Sequence, residues 1–361
     1  MDADPLTDRH YLDHAATTPM TPAARAAVVE GMGNWANPSS PHAEGRAARA
    51  ALERARQRIA SAYGWAHETI LTSGASESLA IALGRSVATR RFVSAVEHDA
   101  VFRAAADATT LAVGRDGLVD TAVLGRMAFG GALVAVQWAN SETGVRQPIA
   151  ELAHVVHATG GLLLVDAAQM PAGSDEEVAT HADFVALSAH KRGGPPGVGA
   201  LLVRDLATLA PSGGQERGYR PGTENLPAVL GYAAALAEPE DLAAMTSLRQ
   251  RLDDAIERSG GLVVAGDRAR HPAIGSYRLP GVAATTQLIR LDMAGFAVSA
   301  GSACSSGSMK PSHVLAAMGW DEAAGREVIR VSFGRTTTAA EVDGFIAAWR
   351  TMARALRTFA A

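Results

Sequence analysis

Four side chains stand out for their chemistry and their setting: Lys191, Asp166, His98 and Cys304. Lysine occurs only at positions 191 and 310, so any step that needs an amine has two candidates. Cys304 is the sole cysteine, and it sits in "SAGSACSSGSMKPSH", residues 299–313. Glycines and serines at this density read as an exposed loop, with no apolar wall against which a thiol could pack as a small hydrophobe. Cys304 therefore reads as a reagent. A single cysteine rules out an intrachain disulfide and a cysteine-rich zinc site, and the 11 histidines show no metal-ligand spacing.

The elements that must position these groups alternate. From residue 20 to about 235, helical patterns such as "PHAEGRAARAALERARQRIASAYG" are interleaved with short apolar runs: "TILTS", "RFVSAV", "ALVAVQW", "GLLLVDA", "DFVALS" and "GALLVR". Several runs are apolar on successive residues, as strands buried on both faces are, and their alternation with helices predicts a mainly parallel α/β sheet. After about residue 237 a long helix, "DLAAMTSLRQRLDDAIERSG", leads into shorter mixed segments. The expected division is a large α/β/α domain over 12–236 and a smaller α+β domain over 1–11 and 237–361, the latter carrying the cysteine loop at about 299–310.

In open α/β sheets, ligands bind outside the carboxyl ends of the strands. The segments just after the expected strands are polar: "GASES" after "TILTS", "EHDA" with His98, "ANSETG" with Asn140, "DAAQ" with Asp166 and Gln169, and "AHKRGGPPGVG" with His190 and Lys191. Each alone reads as an ordinary turn, cap or solvated side chain. Together they place a phosphate seat at a helix N-terminus, a carboxylate, an imidazole and an amine on one rim. That set matches what pyridoxal phosphate requires: a lysine to form the Schiff base, a carboxylate for the pyridinium nitrogen and donors for the phosphate. Lys191 is the expected anchor and Asp166 the expected ring partner. His98 is placed to stack on the ring, with Gln169 and Asn140 bonding its phenolic oxygen. Lys310 lies beyond the cysteine loop with no matching strand end.

Composition excludes several other classes. The chain is 48% hydrophobic and 19% charged with a net charge of −4, an ordinary globular balance without the basic footprint of a nucleic-acid or anionic-membrane binder. No apolar run approaches the ~20 residues of a membrane span. The opening "MDADPLTDRH" lacks the apolar centre of a secretory signal, and the expected location is the cytoplasm.

"YLDHAATTP", "NPSSPHAEGR", "TSGASES", "EHDA", "NSETG", "VDAAQ", "SAHKRGGPPGVG", "GGQERGYRPGTEN", "GSACSSG", "KPSHVLAAMG" and "IRVSFGRTTT" occur in this order between residue 11 and about 345. Together they resemble the cysteine desulfurases of the class V aminotransferase group, NifS- and IscS-like enzymes of fold type I. The resemblance implies a catalytic Lys191 that carries the cofactor, a catalytic Cys304 that becomes a persulfide, and His98 beside them. It implies that Ala75, Ser76, Ser188 and His190 contact the phosphate and that Thr223 reaches the cofactor of a second subunit, hence a homodimer. Arg335 is expected to clamp the substrate carboxylate, with Asn34 near the substrate. The implied reaction converts L-cysteine to L-alanine and passes sulfur through Cys304 to an acceptor, expected to be a protein. A selenocysteine lyase or an aminotransferase on the same fold is the alternative. One departure stands out: Ser141 occupies the place where many members carry a second asparagine.

Overall fold

The structure is a computed structural model that describes residues 9–33, 35–300 and 311–357. β1 (His10–Tyr11) opens the described chain. The next seven strands form the central sheet: β2 (Glu68–Thr72), β3 (Arg90–Ser94), β4 (Thr109–Leu111), β5 (Ala132–Gln137), β6 (Leu162–Asp166), β7 (Phe184–Ser188) and β8 (Gly199–Val203). Then come β9 (Leu262–Val263), β10 (Ile274–Arg278), β11 (Phe296–Ala297), β12 (Ser299–Ala300) and β13 (Val328–Ser332).

The sheet order is β2-β8-β7-β6-β5-β3-β4. Pairings from β4 across to β7 are parallel, while β8 runs antiparallel to both β7 and β2. Every residue of β5, β7 and β8 is buried, the physical reason their sequences are apolar without alternation. One apolar cluster packs on one face around Leu52, Ile59, Val134, Leu163 and Tyr232, and another on the other face around Leu79, Leu83, Leu133, Leu164 and Phe184. Six of the seven strands are visible in the apolar pattern. The seventh, β4, is a three-residue edge strand too short to carry a period.

Register brings the polar strand ends level. Gln137 pairs with Asp166 across β5 and β6, Asp166 pairs with Ala186 of β7, and Ser188 and Thr72 both pair with Gly199 of β8. Gly199 cannot carry a side chain, because a Cβ there would lie 2.3 Å from the Leu187 carbonyl oxygen and 2.6 Å from Gly74 Cα. Gly74, at φ +147°, begins the helix Ala75–Arg85 in a conformation open to glycine alone.

The C-terminal part builds a four-stranded antiparallel sheet, β12-β13-β10-β9, with its own core around Leu252, Ile256, Tyr277, Ile329, Phe345 and Trp349. Leu12 belongs to this second core, and β1 adds to it by pairing with β11. The chain from 212 to 225 is pinned back onto the central sheet. The Glu216 carboxylate, buried, pairs with Arg56 and accepts the Leu71 amide at 2.8 Å.

Candidate active site

A cavity of about 550 Å³ opens at the carboxyl ends of the central strands. Its walls include Ala75 and Ser76, His98, Asn140, Asp166 and Gln169, and Ser188, His190 and Lys191. Helix Ala75–Arg85 points its N-terminus at this space with no side chain capping it. The amides of its first turn lack intrahelical acceptors and form an anion seat.

Asp166 ends β6, buried, with Oδ1 accepting the Ala168 amide at 3.0 Å. Burial lowers the Lys191 amine to about 8; Asp166 opposes this, and Arg330 and Arg192 add to it. The neutral, nucleophilic form is thereby far more accessible than in an ordinary lysine. His98 caps helix Asp99–Ala104, its Nδ1 accepting the Ala100 amide at 3.1 Å. A neutral His98 therefore carries its proton on Nε2. Withdrawal from water lowers its pKa, as does Lys191, against the pull of Asp166. His190, hydrogen-bonded through Nδ1 to Thr17 Oγ1 at 3.1 Å, is lowered to about 4 by burial and by Lys191 and Arg192.

Two expected roles require correction. Asn140 lines the cavity, but its amide is committed to the protein. Nδ2 donates to the Val96 carbonyl at 3.0 Å and to Gln137 Oε1 at 3.3 Å, while Oδ1 accepts from the Glu142 and Thr143 amides, both at 2.9 Å. Both donors are spent, so Asn140 shapes the turn and has none left for a cofactor oxygen. Gln169 is different. Its Nε2 donates to the Ala15 carbonyl at 2.9 Å, and its buried Oε1 has no partner.

Arg335 does not line the cavity. Its guanidinium bonds the carbonyls of Arg192 at 2.9 Å, Glu238 at 3.2 Å and Ala235 at 3.4 Å, and it pairs with Glu240 at 3.2 Å. All but the Arg192 carbonyl belong to the end of the helix Leu226–Leu236 and the junction to the next. Among the described residues the arginine in the wall is Arg330, on β13. Its Nη2 donates to Asp13 at 2.6 Å and its Nη1 to the Ser141 carbonyl at 3.0 Å, while its buried Nε has no acceptor. Arg330 was legible as the one charge in the buried strand "VIRVS", a position that demands partners.

Two buried acids also line the cavity. Glu142 is buried, accepts from Ser312 Oγ at 2.5 Å and has its pKa raised by burial. Glu97 is fully buried, with Oε1 accepting the Gln137 amide at 2.8 Å and Oε2 unpartnered. His313 Nε2 bonds the Glu97 carbonyl at 2.8 Å. Thr223 is exposed and outside this cavity. Cys304, Lys310 and Asn34 lie outside the described residues.

The walls fit pyridoxal phosphate: an amine with a lowered pKa, a buried carboxylate, an uncapped helix N-terminus with the close Gly74–Gly199 approach, and an orphaned Gln169 oxygen. Among the described residues no cluster of histidine, cysteine and acidic side chains could hold a metal ion.

The class V aminotransferase family model matches residues 10–345. A cysteine desulfurase from Cereibacter sphaeroides is 38% identical over 93% of this chain and 93% of its own. An IscS-like cysteine desulfurase from Mycobacterium tuberculosis is 38% identical over 92% of this chain and 93% of its own. The solved structure of a NifS-like protein from Rickettsia africae superposes with a TM-score of 0.85, at 29% identity, over 95% of this chain and 99% of the other. The chain belongs to the class V aminotransferase family, among its cysteine desulfurases, and is a pyridoxal-phosphate enzyme of fold type I.

Proposed function

We propose that the cavity binds L-cysteine and that Cys304 takes its sulfur as a persulfide, with alanine as the second product. The observation that supports this most is the convergence of Lys191, Asp166 and the Ala75 helix N-terminus on one cavity. When bound, the cofactor is anchored on Lys191 and supplies the electron sink that weakens the substrate's carbon–sulfur bond. Asp166 would hold the ring nitrogen's proton, the amides at Ala75 and Ser76 with Ser188 and His190 would receive the phosphate, and His98, with its proton on Nε2, would line the same space. Lys191 Nζ, with its lowered pKa, would take and return the substrate's α-proton. Arg330 takes the substrate carboxylate with N–H groups left over from Asp13 and Ser141.

The thiolate of Cys304 attacks the substrate sulfur, that sulfur's bond to carbon breaks, carbon takes a proton, and alanine leaves. The persulfide then passes its outer sulfur to an acceptor protein. The active unit is a homodimer in which Thr223 completes the neighbouring site, and it works in the cytoplasm.

Intact mass after brief exposure to L-cysteine without reductant tests this. A gain of one sulfur atom, reversed by thiol, must lie on Cys304, the chain's sole cysteine. Alanine formed with no mass gain would overturn the persulfide route.

A further inference from the structure

Glu97 is an acid beside Asp166 that sulfur transfer leaves unused. It lies just past β3, at the start of the segment that carries His98. Its carboxyl is held by the amide of Gln137, and Gln137 faces Asp166 directly across the β5–β6 ladder. Neighbouring strands lie about 4.8 Å apart, so the two acids occupy adjacent positions on one buried rim.

A charged Glu97 has little to stabilise it. The residue is 0% exposed, no ion pair reaches it among the described residues, and one carboxyl oxygen has no partner. Charged and titratable groups around it are Asp166 on β6, His98 and Asp99 beside it, and the His313 ring on its carbonyl. Of the cavity's cations, Arg330 is engaged by Asp13, and Lys191 is influenced by Asp166 and not by Glu97. An isolated carboxylate so placed bears a desolvation cost that a neutral acid avoids. Burial and the Asp166 charge both push Glu97 well above the ordinary carboxylate range.

We propose that Glu97 is a positioning residue held as a neutral carboxylic acid behind Asp166, so that Asp166 alone carries the negative charge facing the cofactor ring. This rests on the assignment of Asp166 to the ring nitrogen. A neutral acid accepts the Gln137 amide on Oε1 and carries its proton on the unpartnered Oε2, which removes the uncompensated buried charge. Two ionised carboxylates at these positions would instead raise each other's pKa and put the proton on either one.

Infrared spectra of the full chain grown with carboxyl-labelled glutamate, with and without cofactor at neutral pH, test it. The expected wild-type spectrum contains a protonated glutamic acid carbonyl stretch that moves with the label. Glu97→Gln removes the Glu97 band, whereas Glu142→Gln keeps it. Glu97→Gln, neutral like the acid it replaces, leaves the midpoint of the absorbance titration of the lysine-bound cofactor unshifted. The idea is overturned if Glu142→Gln shows no protonated glutamate band, or if Glu97→Gln displaces that midpoint. Should Glu97→Gln fail to fold, the Glu142→Gln spectrum decides alone. If Asp166→Asn leaves the cofactor spectrum unchanged while the Glu97 band persists, the fault lies with the Asp166 assignment and not with Glu97.

Discussion

Asp13 Oδ1 accepts the Arg330 guanidinium at 2.6 Å across 317 residues of sequence. One bond thus joins the opening "YLDHAATTP" segment to β13, and it holds the wall arginine in place. Both partners are mostly buried, so the pair is shielded from salt.

This relationship predicts a sharp difference between two arginines five residues apart. Arg330→Lys keeps a charge but loses the planar fork, and kcat/KM for L-cysteine is expected to fall by about 10- to 100-fold, mainly through KM. Arg335→Lys is expected to leave KM unchanged and to lower the unfolding midpoint instead. Steady-state kinetics with denaturant melts separate the two.

Lys191 offers a pH prediction. Capture of the cofactor aldehyde needs the neutral amine, and its pKa is about 8. The capture rate in cofactor-free protein is therefore expected to rise roughly tenfold per pH unit below about 8 and to level off above it. Stopped-flow absorbance reads this directly. A rise continuing to the ordinary lysine range would show that burial does not tune the amine.

Gly199→Ala places a methyl group against Gly74 Cα and the Leu187 carbonyl. Either β8 or the helix N-terminus must shift, at a cost of about 1–3 kcal/mol. Cofactor affinity is expected to weaken by about tenfold or more, measured by equilibrium dialysis. Gly197→Ala, where no atom lies within 4 Å, is the control for strain alone, since its φ is +76°.

Glu216→Ala removes the partner of buried Arg56 and frees the Leu71 amide. A loss of about 1–3 kcal/mol is expected from urea unfolding, because the buried Leu71 amide loses its acceptor while Arg56 keeps only the more exposed Glu53. Glu53→Ala, whose carboxylate is more exposed and meets the same arginine at 3.0 Å, is expected to cost about 1 kcal/mol or less.

Much of the large sheet was legible because its strands are buried on both faces and its polar residues gather at strand ends. Lys191, Asp166, Gln169 and His98 announced themselves in this way. Arg335 misled because a motif gives sequence neighbours, not directions. β13 projects Arg330 into the cavity, whereas Arg335 lies past the strand's end and is spent on carbonyls. Asn140 misled for another reason: its type suits a cofactor contact, but only the turn geometry reveals that its donors are already used. Glu97 drew no attention because a single acid after a strand resembles any cap until its burial is known.

The antiparallel strand β8 has a consequence for the order of assembly. Among the described residues β2 pairs with β8 alone, yet β2 leads into the turn proposed to receive the phosphate. A nascent chain leaving the ribosome presents that turn long before Gly199–Val203 has been made. Until then β2 has no neighbour, and the Gly74–Gly199 contact that seats the turn does not exist. The anion seat is encoded early and finished late, so truncated chains ending before residue 199 are expected to carry Lys191 and Asp166 yet fail to retain pyridoxal phosphate.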